Sequence, residues 1–464
     1  MKTTPKIKQL TLACFLAAAA VMINSAGAAE SEFQTKEYFS SNGLDLINAA
    51  SAYDQGYTGK GVLIGLLDTP MREDHPELSG KFEVIAALDK DGHLVANPTT
   101  WTQDVSHGTH VASIMAAKKD DIGMHGVAFD SNVVGQVYIG LQSYYFADDK
   151  KFFQAHPEIK ILNNSWNGMA VDKSFVPNGE VYSVQEAKKL AMTEGVKPHS
   201  GQLVKWAIEN PNSLAVVAAA NDGWVSPSFM GMLPRYYGSE LGNWVTVVSL
   251  NPLDATRKDG KISLGPTGLS LFSNIARGAE LFTVSAPGGY ISAADAVTNG
   301  YTIKSGTSMA TPQVSGAAAL VAQAFPWMNG KQLADVILTT ANSNIECPDI
   351  LVGFDESTET ALVFYYFSTE KPSEEQVIKA LTETYNKDPE AWGYRSLNSM
   401  IEYFVKDHFE KSEAEQEQDK YVRLIRVTKE EVFGQGVLDA GKAVGGPARL
   451  DVNRMSSNSV KEAL

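Results

Sequence analysis

The chain has 464 residues, enough for one large domain with added segments or for two to three small domains. Apolar residues make up 44% and charged residues 20%, the balance of an ordinary soluble globular protein. A formal charge of −15 without any Lys/Arg cluster argues against a nucleic-acid partner, because phosphate contacts need a concentrated basic surface.

Lys2, Lys6 and Lys8 give the chain a positive start, and Leu10 to Ile23 is an apolar run whose one polar member is Thr11. Ala26-Gly27-Ala28 then offers the small-x-small pattern that signal peptidase accepts. The apolar run is shorter than the roughly 20 residues of a membrane span. Residues 1–28 are therefore expected to be a cleaved export signal, leaving a mature chain with no transmembrane segment. The expected location is secreted, periplasmic or on the cell surface. Cleavage removes Cys14, and Cys347 alone cannot close an intrachain disulfide, so the exported fold rests on its core. With no histidine near it in sequence, Cys347 reads as a packed or idle thiol.

From Gly59 to about Ala341, short apolar runs alternate with helix-like segments. Val62 to Leu67, Val133 to Ile139, Lys160 to Leu162, Leu214 to Ala219 and Trp244 to Leu250 have strand length and composition. Thr109 to Lys118 and Gly201 to Glu209 have helical composition. This alternation predicts an α/β fold, a mostly parallel central sheet with helices on both faces. Active sites of such folds gather at the carboxyl ends of the strands.

Residues 342–432 differ in character, with twenty Asp/Glu against ten Lys/Arg, and so carry −10 of the net charge. Ala361 to Phe367 is strand-like. Ser373-Glu374-Glu375-Gln376 matches a capping box leading into a helix over Val377 to Tyr385. Leu397, Met400, Ile401 and Phe404 are spaced for a second helix over Ser396 to Phe409. The Gly-rich, apolar character returns after Phe433, so this acidic, mostly helical stretch reads as an insertion. The expected layout is a signal (1–28), a catalytic domain (29–341), the insertion (342–432), a closing segment (433–447) and a tail (448–464).

Three short segments carry reactive groups. In Gly65-Leu66-Leu67-Asp68-Thr69-Pro70 an acid emerges from a buried strand, where it needs a hydrogen-bond partner to stay charged. Taken alone, Asp68 reads as a catalytic acid or, equally, as a ribose-binding acid or a strand cap. Ser106-His107-Gly108-Thr109-His110-Val111-Ala112 sends a histidine into a helix of small residues. Two histidines three apart lack the intervening Glu and the spacing of the zinc-protease pattern, so no metal is assigned there. Gly306-Thr307-Ser308-Met309-Ala310-Thr311-Pro312 puts Ser308 at a helix N-terminus. A serine there is most often an N-cap, but the site also suits a nucleophile whose intermediate bears an oxyanion.

Together, in the order Asp, His, Ser, these segments resemble the subtilisin-like (S8) serine peptidase family. The His107 to Ala112 and Gly306 to Pro312 stretches are similar to its two signature motifs nearly letter for letter. The chain order also separates the family from chymotrypsin-like and α/β-hydrolase enzymes. The resemblance covers roughly Asn48 to Ala341 and resumes at Gly434 to Pro447. Gly123-Met124-His125-Gly126-Val127-Ala128 and Asp439 to Pro447 look closest to bacterial autotransporter subtilases.

The resemblance implies Asp68, His107 and Ser308 as a catalytic triad and Asn221, in Val216 to Gly223, as the oxyanion donor. It implies a substrate-binding strand at Asn164, Ser165 and Trp166, with Ala219 and Ala220 beside the primary pocket. The activity implied is endopeptidase cleavage of protein or peptide substrates, with no organic cofactor required. Glu77 and the loop Lys118 to Met124, Asp120 included, match a family calcium site, while Asp120 and Asp121 read equally as plain loop residues. Three positions depart from the pattern: Pro70 and Ala220 replace the usual glycines, and Asn167 stands where Gly often ends the substrate strand. The 39 residues between Ala29 and Asp68 are too few for the folding pro-domain of many members, and no barrel-like strand series follows Pro447. The insertion is expected to supply no chemical group, since earlier residues fill every role.

Overall fold

The computed structural model describes residues 32–85, 87–88, 94–95, 102, 106–137, 149–166, 183–192, 198–355, 361–419 and 421–447. The expected signal (1–28), the tail (448–464) and Asn167 lie outside the described residues.

Seven parallel strands form the central sheet. They are β1 (Leu63–Asp68), β2 (Phe82–Ile85), β3 (Asn132–Val137) and β4 (Ile161–Asn164). β5 (Leu214–Ala218), β6 (Trp244–Leu250) and β7 (Thr283–Pro287) complete it. The spatial order is β7-β6-β5-β4-β1-β3-β2. Every residue of β5 and β6 is buried, so both faces of the sheet are covered, as their largely apolar sequences require. The chain winds one way from β1 to β3 and β2 and the other way from β4 to β7. The crevice where these directions part lies between β1 and β4, and their carboxyl ends are Asp68 and Asn164.

Helix α1 (His107–Ala116) and the long helix α2 (Thr307–Ala324) pack on each other, and α2 crosses β4 to β7. Gly316 and Ala317 to Ala319 are fully enclosed, and their small side chains let α2 run through the core. Helix α3 (Gly330–Thr339) starts with a capping box of Asn329 and Gln332. The closing segment returns beside β7, with Ser285 N donating to Gly436 O at 2.9 Å and Asn342 N to Val437 O at 2.7 Å.

Helices predominate in the insertion, and it also holds a three-stranded sheet, of which one strand is apparent in the sequence. Strands β8 (Ile350–Asp355) and β9 (Ala361–Tyr366) are antiparallel, and β10 (Val422–Arg426) runs parallel to β9. Helix α4 (Glu374–Lys387) begins at the Ser373 capping box that the sequence predicts. The expected second helix is present over Leu397–Glu410 and contains a π-helical turn at Ile401–Val405. Both faces of the small sheet are apolar. Val352, Phe354, Leu362 and Phe364 pack under the insertion's own helices with Val377, Leu381 and Trp392. Their alternates Leu351, Val363 and Tyr365 share a core with Ala219, Val248 and Leu250 of the catalytic body.

Candidate active site

Asp68 closes β1 and is completely buried. Its Oδ1 lies 2.6 Å from His107 Nδ1 and accepts from Thr69 N at 2.7 Å. His107 opens α1, with its side chain about 29% exposed, so one ring nitrogen is fixed by the acid and the ring still faces the surface. Thr69 Oγ1 accepts from Gly108 N at 2.8 Å and ties the strand end to the helix start. A Cβ on Gly108 would fall 2.7 Å from Thr69 O and 2.6 Å from Met71 Cγ, so only glycine lets α1 come this close to β1. His110, three residues on, is a different kind of histidine. It is fully enclosed, its Nε2 bonds to Thr302 O at 3.1 Å, and burial pushes its pKa down to about 3. It is a neutral packing group.

Ser308 is the second residue of α2 and is half-buried. It sits among first-turn N–H groups that a helix leaves without intrahelical acceptors, on the positive end of the dipole. Pro312, inside α2, lacks an N–H and so leaves the carbonyl four residues back without its helical donor. That carbonyl is Ser308 O, and Ser165 Oγ donates to it at 2.8 Å. Ser165 is itself set by Asn163 Nδ2 at 2.9 Å, and Asn163 Oδ1 accepts from Ser315 Oγ at 2.8 Å. This buried polar chain fixes the turn that carries Ser308 against the end of β4.

Asn221 follows β5 and is exposed, unlike its neighbours Ala219 and Ala220. Its Oδ1 accepts from both Thr307 N and Thr307 Oγ1 at 2.8 Å. With the oxygen held on the residue before Ser308, the Nδ2 donor is turned away from Thr307. Ala220 has φ +96°, in the region that favours glycine.

All five residues expected to bind substrate, Asn164, Ser165, Trp166, Ala219 and Ala220, are buried. Asn164 is enclosed and its Nδ2 donates to Leu162 O and Val216 O, so its amide faces into the sheet. The side chain of Ser165 is directed at Ser308 O, and Trp166 is buried at the edge of the described segment. The supporting roles of Thr69, Asn163, Thr307, Pro312 and Ser315 are not apparent in the sequence. Pro312 alone carries a usable signal, a proline inside a helical run.

Glu77 and the loop after α1 form a separate corner. Tyr301 Oη donates to Glu77 Oε1 at 2.5 Å, and burial pushes the Glu77 pKa up to about 7. Glu77 Oε2 is buried without a hydrogen-bond partner. Asp120 Oδ1 accepts from Ile122 N, while Glu37 accepts from the N–H groups of Asp120 and Asp121. Among the described residues, no group of three or more His, Cys, Asp or Glu side chains is arranged to hold a metal ion.

The sequence pattern of the Subtilase family matches residues 59–371, which include every residue of this site. The chain belongs to the subtilase family. It is 31% identical over 350 residues to an extracellular serine protease of Serratia marcescens, covering 68% of this chain and 32% of that protein. This subtilase thus spans about a third of the Serratia protein's length. It is 30% identical over 292 residues to thermitase of Thermoactinomyces vulgaris, covering 61% of this chain and 84% of thermitase. A cold-adapted subtilisin-like serine proteinase of known structure superposes with a TM-score of 0.41 and 21% identity, over 62% of this chain and 85% of that one. No helix among the described residues is long and apolar enough to cross a membrane.

Proposed function

We propose that this subtilase is a secreted serine endopeptidase that cleaves protein or peptide substrates through Asp68, His107 and Ser308. The observation that carries the reading is the 2.6 Å pairing of His107 Nδ1 with the buried Asp68 carboxylate. It leaves Nε2 as the basic nitrogen. His107 Nε2 takes the Ser308 proton as Oγ attacks the peptide carbonyl, and Asp68 holds the imidazole in the tautomer this needs and stabilises the imidazolium. Asn221 Nδ2 and the Ser308 N–H receive the charge that develops on the carbonyl oxygen. His107 then protonates the departing amine, and water repeats the sequence on the acyl-enzyme. Export rests on the first 28 residues and on the extracellular relative in Serratia marcescens.

No organic cofactor enters this chemistry. For calcium, the fit at the Glu77 corner rests on one orphaned oxygen, Glu77 Oε2. Further ligands would be carbonyl oxygens of Lys118 to Met124, because Asp120 and Glu37 already accept from backbone N–H groups. Such an ion is structural and takes no part in the steps above.

Ser308→Ala tests the reading. Peptide hydrolysis should fall on the order of a millionfold, the size of triad removal in a related enzyme. A fluorophosphonate should label the wild type and leave the variant unlabelled. Labelling that persists in the variant would place the nucleophile elsewhere.

A further inference from the structure

A crevice of about 180 Å³ lies where the insertion meets the catalytic body. Phe272, Tyr290 and Ser305 line it from the body, and Phe354, Asp388 and Ala391 line it from the insertion. Ser305 is three residues before Ser308, and its Oγ accepts from Tyr290 N at 2.9 Å. Gly306 N donates to Gly288 O at 2.9 Å, so the floor of the crevice and the turn that carries the nucleophile share one backbone frame. None of the residues that the family resemblance places beside the acyl half of a substrate, Asn164 to Trp166 and Ala219 to Ala220, lines it. The space is that of one medium-sized side chain.

The insertion's wall is held in place. Asp388 Oδ2 accepts from Tyr290 Oη at 2.5 Å, and its Oδ1 accepts from Ala391 N at 3.2 Å, capping the short 3₁₀ turn Pro389–Trp392. Phe354 N donates to Leu271 O at 2.9 Å, and Lys387 Nζ pairs with Asp254 at 2.8 Å. The Asp388 carboxylate therefore faces the crevice at a fixed position, with Glu390 near enough to add to its field at Tyr290.

We propose that this crevice is a substrate subsite, walled in part by the acidic insertion, which takes a side chain from the departing half of the substrate and rejects acidic residues through Asp388. The proposal rests on the endopeptidase reading above. An incoming Asp or Glu would meet the Asp388 carboxylate in a partly enclosed space, where like-charge repulsion is weakly screened. Neutral or basic side chains meet hydroxyl, apolar and carboxylate surfaces they can satisfy.

Two variants separate this from the parent reading. Asp388→Asn keeps its one amide oxygen as the cap acceptor for Ala391 N and turns an N–H toward Tyr290 Oη, which can accept it, while removing the charge. Digestion of a peptide library by wild type should show acidic residues depleted on the departing side, and Asp388→Asn should raise cleavage before Asp or Glu about tenfold relative to Asn or Gln. Ala391→Trp, at an exposed position, should fill the crevice and slow cleavage of peptides with bulky departing-side residues. Both variants should hydrolyse a peptide p-nitroanilide, which has no amino acid on the departing side, at the wild-type rate. Unchanged departing-side preferences in both variants, or a changed p-nitroanilide rate, would overturn the subsite. Failure of the wild type to react with a fluorophosphonate would instead sink the endopeptidase reading itself.

Discussion

The catalytic body and the insertion both bury apolar sheets, but they place their polar groups differently. In the body, polar side chains sit enclosed at the strand ends, each held by a specific partner: Asp68 by His107 and Thr69, Asn163 by Ser165 and Ser315. The insertion carries −10 of charge, and its sheet is apolar on both faces. Buried polar groups are costly unless fully bonded, so they persist where geometry must be fixed to a fraction of an ångström. The body is thus organised for chemistry. The insertion completes its core, reaching the turn after β5 through Tyr365 Oη, which donates to Gly223 O at 3.1 Å.

The sharpest test of this division is Asn221→Ala. If the chemistry belongs to the body alone, removing this donor should lower kcat about 100–1,000-fold with little change in KM, alongside a stability loss of about 1–3 kcal/mol from the buried Thr307 donors that lose their acceptor. The amide matters only once charge develops on the substrate oxygen. A raised KM with unchanged kcat would show that Asn221 binds the ground state instead.

Leu351→Ala probes the insertion's share of the core. Leu351 is fully buried in the cluster that also holds Ala219 and Val248, so truncation should cost about 2–5 kcal/mol of stability. Fluorophosphonate reactivity per folded molecule should stay near wild type. A neutral effect on thermal unfolding would show that the insertion only rests on the body. The shared core also means that deleting residues 343–431 would strip cover from Ala219, Val225 and Leu250, so the region is not a detachable accessory.

The largest acid sensitivity should likewise come from the body, with the insertion's buried His408, whose pKa burial also lowers, acting in the same direction. His125 is enclosed by Tyr38, Tyr53 and Phe129, and burial lowers its pKa from 6.5 to about 4. Between those values the unfolded chain binds a proton that the folded chain refuses. Its contribution to stability is therefore complete above pH 6.5 and is lost as pH falls toward 4. His110 acts in the same direction, whereas Glu77, raised from 4.5 to about 7, opposes both by favouring the folded state at low pH. His125→Phe should flatten the decline of the melting temperature between pH 7 and 5. An unaltered slope would assign the acid sensitivity to other groups.

The sequence made the central sheet and the residues proposed to react legible for a physical reason: both depend on short, contiguous patterns. Leu214–Ala218 is an uninterrupted apolar run, and the His107 and Ser308 segments pair a reactive group with the small residues that close packing demands. The insertion's sheet was harder to read. Ile350–Asp355 is five apolar or glycine residues and an acid, a length and composition that suit either a strand or a buried helix turn, and β10, which pairs with β9, has two arginines among its five residues. The supporting bonds of the site were hidden because they join residues far apart in the chain. Ser165 and Ser308 are separated by 143 positions, and no local pattern announces that one hydroxyl replaces a donor that Pro312 removed.

The smallest expected effect concerns Ala220, on the seam between the two regions. Its φ of +96° is one that an L side chain adopts only at a cost of about 1–3 kcal/mol, and the sequence departs from the family's glycine here. Three contacts hold the conformation: Ala220 N donates to Thr307 Oγ1, Ala220 O accepts from Asn274 N, and Asn221 is locked on Thr307. Ala220→Gly would release the strain but would also loosen the unfolded chain, at a cost of about 0.4–1 kcal/mol. It would further forfeit the burial of one methyl group, about 0.8 kcal/mol. These terms run from a loss of about 0.8 to a gain of about 1.8 kcal/mol and centre on a gain of about 0.5 kcal/mol, a rise of about 1 °C or less in Tm for a domain of this size. Glycine would also remove the methyl group from the wall expected beside the primary pocket, so acceptance of larger acyl-side residues should broaden while the Asn221-dependent part of kcat stays constant. A fall in Tm of several degrees would show that the methyl's packing outweighs the strain and that alanine is the better residue at this seam.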